Sequence, residues 1–170
     1  MYRASQFFRA LTARVRPEEI QVLDRHLTPL QQALFRQMTV NDQRHALDVL
    51  ETLIRTGYGE PVLLQAALLH DVGKVGAGLR LWHRVSIVLL NAGMPGLLDR
   101  LGRDDPGSWR YPFFAHKHHA RRGAELARQA GCPPLTATLI RRHHEPVPED
   151  QQETPEGRLL LALQAADGHR

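Results

Sequence analysis

The run Val62 to Leu69, "VLLQAALL", is apolar almost all round, and His70, Asp71, Val72, Gly73 and Lys74 follow it at once. A surface helix carries one apolar stripe, whereas a helix apolar on every side belongs in the middle of a fold. The chain is therefore built around a central buried helix that opens at Pro61 and finishes in three ionisable residues. A core has no use for such groups unless something pairs with them.

Helix signals recur on both sides of this run. Pro17 with Glu18 and Glu19 opens a helix through residue 27, and Thr28 with Pro29 opens the next. Residues 41–57 run from an Asn41 cap to Gly57, with Leu47, Leu50, Leu53 and Ile54 at helical spacing. Residues 79–93 are amphipathic, and 95–102 form a short helix. Residues 113–131 close at Gly131, 133–144 begin with proline, and Thr154 with Pro155 opens a last helix through Asp167. Residues 102–112 and 145–153 read as loops. Nothing alternates with period two over a useful length, so no strand is expected. The expected fold is all-α, a single-domain bundle of about eight helices. Residues 1–39 are expected to form a helical segment packed on a domain that spans 40–170.

The length of 170 residues and a hydrophobic share of 42% suit one domain with a real core. The net charge is +4 with histidine neutral, and the basic residues are almost all arginine, Lys74 and Lys117 being the exceptions. Arginine suits an anionic partner such as a phosphate ester, although a solvated basic surface is the plainer reading. The lone cysteine, Cys132, precludes an intrachain disulfide and fits a reducing compartment. The first residues are interrupted by arginine and hold no apolar signal region. The longest apolar stretch, Val85 to Leu98, is broken by Asn91, Gly93, Pro95 and Gly96. No transmembrane segment is expected, and the chain reads as soluble and cytoplasmic.

Seven of the ten histidines gather in four places on separate helices: His45; His70 beside Asp71; His116, His118 and His119; and His143 with His144. Asp167 ends the last helix. Neutral imidazole and carboxylate are the ligand set for divalent first-row metals. Each place has an ordinary reading alone. His45 would pack on a helix face, Asp71 would cap a turn, and His118 and His119 would lie on a solvated face beside Lys117, Arg121 and Arg122. His143 and His144 would complement a helix C-terminus. Together these readings need a run of coincidences on elements that one compact domain brings to one core.

The order His45, "HDVGK", "HHARRG", "RRHHE" and "QAAD" resembles the HD-domain superfamily of metal-dependent phosphohydrolases, over about residues 40–168. The resemblance implies a helical bundle around one or two divalent ions, with Mn, Fe, Zn, Co and Ni all suited to the ligands. It implies one ion held by His45, His70, Asp71 and Asp167, and a second by His119, His143 and His144, with Asp71 bridging. His119 is preferred to His116 and His118 because Gly123 follows it at the family's His-x-x-x-Gly spacing; the other two are left as substrate contacts. Members that cleave cyclic dinucleotides carry Gly-Tyr-Pro soon after His-His-Glu. Here "PVPEDQQE" follows instead, so cyclic di-GMP hydrolysis is not expected.

A metal pair lowers the pKa of a shared water and spreads charge on phosphoryl oxygens. Asp71 and Lys74 are the expected catalytic residues, with Lys74 meeting phosphate as a point charge. Arg44, Arg122 and Arg142 are further phosphate candidates, with Arg121 and Arg141 beside them. Glu145 is a candidate to orient a ligand histidine. The expected reaction is hydrolysis of a nucleotide or other small phosphoester rather than of nucleic acid. The alternatives are a non-catalytic metal-binding signalling or partner-binding module and a di-iron oxygenase. The loop of residues 102–112, with Trp109 and Tyr111, either walls the pocket or plugs the core. The basic amphipathic stretch "SQFFRALTARVR" packs on its own domain or on a partner or membrane surface. A homodimer is expected if the strip around Trp82 and Val85 is exposed.

Overall fold

The computed structural model describes residues 15–168, apart from Arg80 and Met94. The expectations for the first fourteen residues, including most of "SQFFRALTARVR", fall outside the described residues. Those described fold into α1 (Pro17–Ile20), α2 (Leu23–His26), α3 (Pro29–Arg36), α4 (Val40–Arg55), α5 (Pro61–Leu69) and a 3-10 turn (Val72–Lys74). Then come α6 (Leu81–Gly93), α7 (Pro95–Leu101), α8 (Tyr111–Gln129), α9 (Pro134–Arg142), α10 (Glu149–Gln152) and α11 (Pro155–Asp167). No strand is present among the described residues, and the all-α expectation holds.

α5 is the axis of the bundle. Leu63, Leu64, Ala66, Ala67, Leu68 and Leu69 are all buried, as its unbroken apolar surface requires. It packs against α4, α9 and α11, while α8 packs on α9 and against the 3-10 turn. One core runs from Leu23, Leu34 and Phe35 through Leu47, Leu50 and Leu68 to Leu139, Leu160 and Leu163. A smaller one joins Ile87 to Phe113.

Several boundaries differ from the sequence expectation, each for a local reason. Residues 17–27 are two single turns rather than one helix. Three-residue hydrogen bonds, Val22 N–H to Glu19, Asp24 N–H to Gln21 and Arg25 N–H to Val22, tighten the chain at the junction. Leu23 and Leu27 beyond it are buried. α4 is capped by Thr39, not Asn41, because the Thr39 hydroxyl accepts the Asp42 N–H. α8 starts at Tyr111 with Pro112 in its first turn, where a missing N–H costs nothing. The segment expected as a loop at 145–153 contains α10, a turn following Pro148.

Gly157, a weakness for a helix on propensity, is required by packing. A Cβ there would sit 1.8 Å from the Gln151 carbonyl oxygen, so glycine lets α10 lie against α11. On α6, Trp82 and Leu89 are 46% and 66% exposed, and Val85 shares their face. No helix among the described residues is long and apolar enough to cross a membrane.

Candidate metal centre

The helix α5 ends at Leu69, and the backbone opens immediately. His70 keeps a helical conformation (φ −56, ψ −34), whereas Asp71 has φ −95 and ψ 0. The departure from helical geometry lets two neighbouring side chains turn towards one place. α9 repeats the device, ending at Arg142 with His143 at its C-cap and His144 next. His45 comes from α4, His119 from the middle of α8 and Asp167 from the end of α11, closed by Gly168 at φ 83.

Five elements thus deliver ligand-type atoms to one region. His45, His70 and Asp71 form one group with ligand atoms within 4.8 Å of one another, and His119, His143 and His144 form a second. Asp167 joins the first: its Oδ1 lies 2.6 Å from His45 Nε2 and 3.6 Å from His70 Nε2. Asp71 stands between the groups. Its Oδ2 is 3.6 Å from His70 Nε2, and its Oδ1 is 3.4 Å from His119 Nε2.

The tautomers follow from the hydrogen bonds. A carbonyl oxygen only accepts, so an imidazole nitrogen bonded to one carries the proton. His70 Nδ1 donates to Ala67 O at 2.9 Å, His119 Nδ1 to His116 O at 2.5 Å and His143 Nδ1 to Ile140 O at 2.6 Å. Each Nε2 then carries a lone pair. His119 Nε2 faces His143 Nε2 at 3.3 Å and His144 Nε2 at 3.1 Å. His70 Nε2 is buried with no hydrogen-bond partner among the described residues. Buried lone pairs aimed at one another are unfavourable unless a cation or a proton sits among them.

Protons are a poor choice at His119 and His143. Burial, reinforced by the Lys74 ammonium, holds His119 well below the usual imidazole range. Burial and the neighbouring His70 and His144 push His143 down to about 3. Burial would raise the Asp71 carboxyl, but Lys74, His70, His119 and His45 outweigh it and keep it well below the carboxylate range. Burial works against charge on His45 as well, yet the Asp167 hydrogen bond and the Asp71 carboxylate raise it. The donor set fits divalent metal: neutral imidazoles and ionised carboxylates around a buried space.

The HD-domain family model matches residues 43–167. The chain belongs to the HD domain family. That family consists in general of metal-dependent phosphohydrolases, and the His/Asp groups of this HD domain are compatible with it. Comparison with curated proteins and with solved structures gave no match.

The other expected residues fall in varied places. Lys74 Nζ lies 2.7 Å from Asp71 Oδ2, with its side chain 16% exposed. Arg44 pairs with Glu19 and Asp48, and Arg142 with Glu145 and Glu156, so both guanidinium groups face carboxylates. Arg122 donates to the Tyr111 hydroxyl, while Arg121 and Arg141 are exposed. His116 stacks beside His119 and supplies its carbonyl, and exposed His118 lies against Phe114. Glu145 is exposed and pairs with Arg142. Trp109 joins Trp82 and Phe113 in an aromatic group, and its carbonyl lies 3.3 Å from His83 Nε2.

One pair of residues shapes the site without touching it. A Cβ on Gly73 would lie 1.9 Å from the His119 carbonyl oxygen, and one on Gly123 would lie 3.1 Å from Gly73 N. These two glycines let the turn after Asp71 press on the backbone of α8. That contact brings His119 to Asp71. The sequence carried the signal, a glycine in each motif, but not their pairing.

Proposed function

We propose that this HD domain is a phosphohydrolase with a dinuclear His/Asp centre acting on a nucleotide or other small phosphoester. The observation that carries the reading is the buried, partnerless His70 Nε2 facing Asp71 and Asp167, beside three further imidazole nitrogens turned towards one another. In this reading His45, His70, Asp71 and Asp167 hold one ion, and His119, His143 and His144 hold the other. Asp71, with one oxygen towards each group, is the bridge. Such a pair, when bound, supplies an activated water and neutralises charge at phosphorus.

The chain's own residues set the rest. The carbonyls of Ala67, His116 and Ile140 fix three imidazoles in the ligating tautomer. Lys74 is anchored at Asp71 and places an ammonium at the edge of the centre, where it meets a phosphoryl oxygen. A cavity of about 320 Å³ beside Lys74, lined among others by Thr39, Asp42 and Gly76, has room for the alcohol portion of a small ester. A homodimer through the exposed α6 strip at Trp82 and Val85 accompanies this reading, and sedimentation at two concentrations tests it.

Metal analysis combined with a phosphoester panel tests the function. Two equivalents of manganese or iron with turnover of a phosphoester are expected. Bound metal without turnover of any phosphoester would point to a non-catalytic module instead. Oxygen consumption by a reduced iron form would point to an oxygenase.

A further inference from the structure

Among the described residues four arginines, Arg44, Arg110, Arg122 and Arg142, are half-buried. Two are matched by carboxylates: Arg44 by Glu19 and Asp48, Arg142 by Glu145 and Glu156. Arg110 donates to the carbonyls of Leu101 and Arg100. Arg122 differs from all three. Its hydrogen bond goes to a neutral phenol, the Tyr111 hydroxyl at 3.4 Å, and it has no carboxylate partner among the described residues. A partly desolvated guanidinium without an anion is poorly compensated unless a ligand supplies one.

The position of this guanidinium is informative. Tyr111 and Arg122 lie eleven residues apart on α8, roughly 16 Å along the axis. Their side-chain tips meet, so Arg122 reaches back and Tyr111 reaches forward. The guanidinium thus lies along α8 between the two residues, at the Tyr111 hydroxyl. Its other edge faces the loop leaving Lys74, with Nη2 3.8 Å from where a Cβ on Gly76 would stand. Gly76 also lines the cavity beside Lys74. A transferring phosphoryl group has three equatorial oxygens. In the dinuclear reading the metal centre and Lys74 serve the scissile phosphoryl, and Arg122, on the far side of Gly76, is free for a neighbouring anion.

We propose that Arg122, held in place by Tyr111, binds a second anionic group next to the scissile phosphoryl, so that the substrate carries two phosphates or an equivalent pair of anions. The inference rests on the dinuclear phosphohydrolase reading. Arg122 is the binding residue and Tyr111 a positioning residue. A simple monoester fills only the Lys74 side.

The test uses the full chain loaded with manganese, assayed on a nucleoside diphosphate and the matching monophosphate. The wild type should prefer the diphosphate. Arg122→Gln should lower kcat/KM on the diphosphate by roughly 10- to 100-fold, through KM, and at least several-fold more than on the monophosphate. Arg122→Lys should recover part of the loss. Tyr111→Phe should raise KM for the diphosphate by about 2- to 10-fold with kcat nearly unchanged. Equal losses on both substrates, or a wild type that prefers the monophosphate, would overturn the proposal. Should neither nucleotide be turned over, these nucleotides are excluded as substrates, and the phosphoester panel judges the phosphohydrolase reading separately. Calorimetry with pyrophosphate and orthophosphate then decides the subsite: a selective loss of pyrophosphate affinity in Arg122→Gln supports it, and an unchanged ratio ends it.

Discussion

At the scale of single residues, Asp71 concentrates the chemistry. Its two carboxylate oxygens face different imidazole groups, and its third neighbour is the Lys74 ammonium at 2.7 Å. In the dinuclear reading, replacing Asp71 removes a ligand from both ions at once. Asp71→Ala should therefore leave little bound metal at either position, measured by elemental analysis after gel filtration. Retention of full metal content would remove the bridging role. Lys74→Ala should behave differently. It takes a positive charge out of the site, so metal content should persist while kcat/KM falls by about 10²-fold. That the places of His45, His70 with Asp71, the 116–119 cluster, His143 with His144, and Asp167 would meet was readable from residue type, while the choice of His119 within its cluster came from the family resemblance. The helical spacing announces Asp48 for Arg44 and Glu145 for Arg142, but not their other partners. Glu19 and Glu156 come from other elements, 25 and 14 residues away, and no spacing rule announces such ion pairs.

At the scale of elements, the site depends on how closely the turn Val72–Lys74 approaches α8. The packing is backbone on backbone, which demands glycine at Gly73 and leaves only a tight fit for a methyl at Gly123. The two glycines should not be equally sensitive. A methyl on Gly73 would collide with a carbonyl at 1.9 Å, whereas one on Gly123 would meet Gly73 N at 3.1 Å and the Ile140 side chain at 3.3 Å. Gly73→Ala should cost about 3 kcal/mol or more, a drop in Tm of roughly 6–12 °C, and should displace His119 from Asp71 with loss of metal. Gly123→Ala should cost about 1 kcal/mol, a few degrees, with most metal retained. Calorimetric scans and metal analysis of both variants check the order. Equal effects would show that the contact does not set the site. The helices themselves were legible because prolines, caps and apolar spacing act locally, as Thr28 and Pro29 do for α3. Thr39 displaced Asn41 as the α4 cap because the choice depends on which side chain reaches Asp42 N–H, a matter of backbone geometry rather than residue type.

At the scale of the whole molecule, the buried imidazoles make stability of the metal-free protein depend on pH. His119 and His143 are neutral in the fold, held down by burial and by neighbouring positive charge, His143 to about 3. In the unfolded chain both titrate near 6.5. Below that pH the unfolded state binds more protons than the folded one, so unfolding becomes easier as pH falls. The loss begins near 6.5 and continues until the folded histidines themselves take up protons. Asp71 acts in the same direction at lower pH, since its depressed carboxyl gives stability that disappears below the ordinary carboxylate range. His45 opposes the trend: its raised value gives stability below the imidazole range that is lost as pH rises. Two depressed imidazoles outweigh one raised. Each contributes on the order of 1 kcal/mol per pH unit, so the chelated protein should lose about 5 °C in Tm between pH 7.5 and 5.5. His143→Gln should flatten that slope by removing one of the two groups, whatever it does to absolute stability. A Tm that rises on acidification, or a slope unchanged in His143→Gln, would mean that these imidazoles are not held neutral within the bundle.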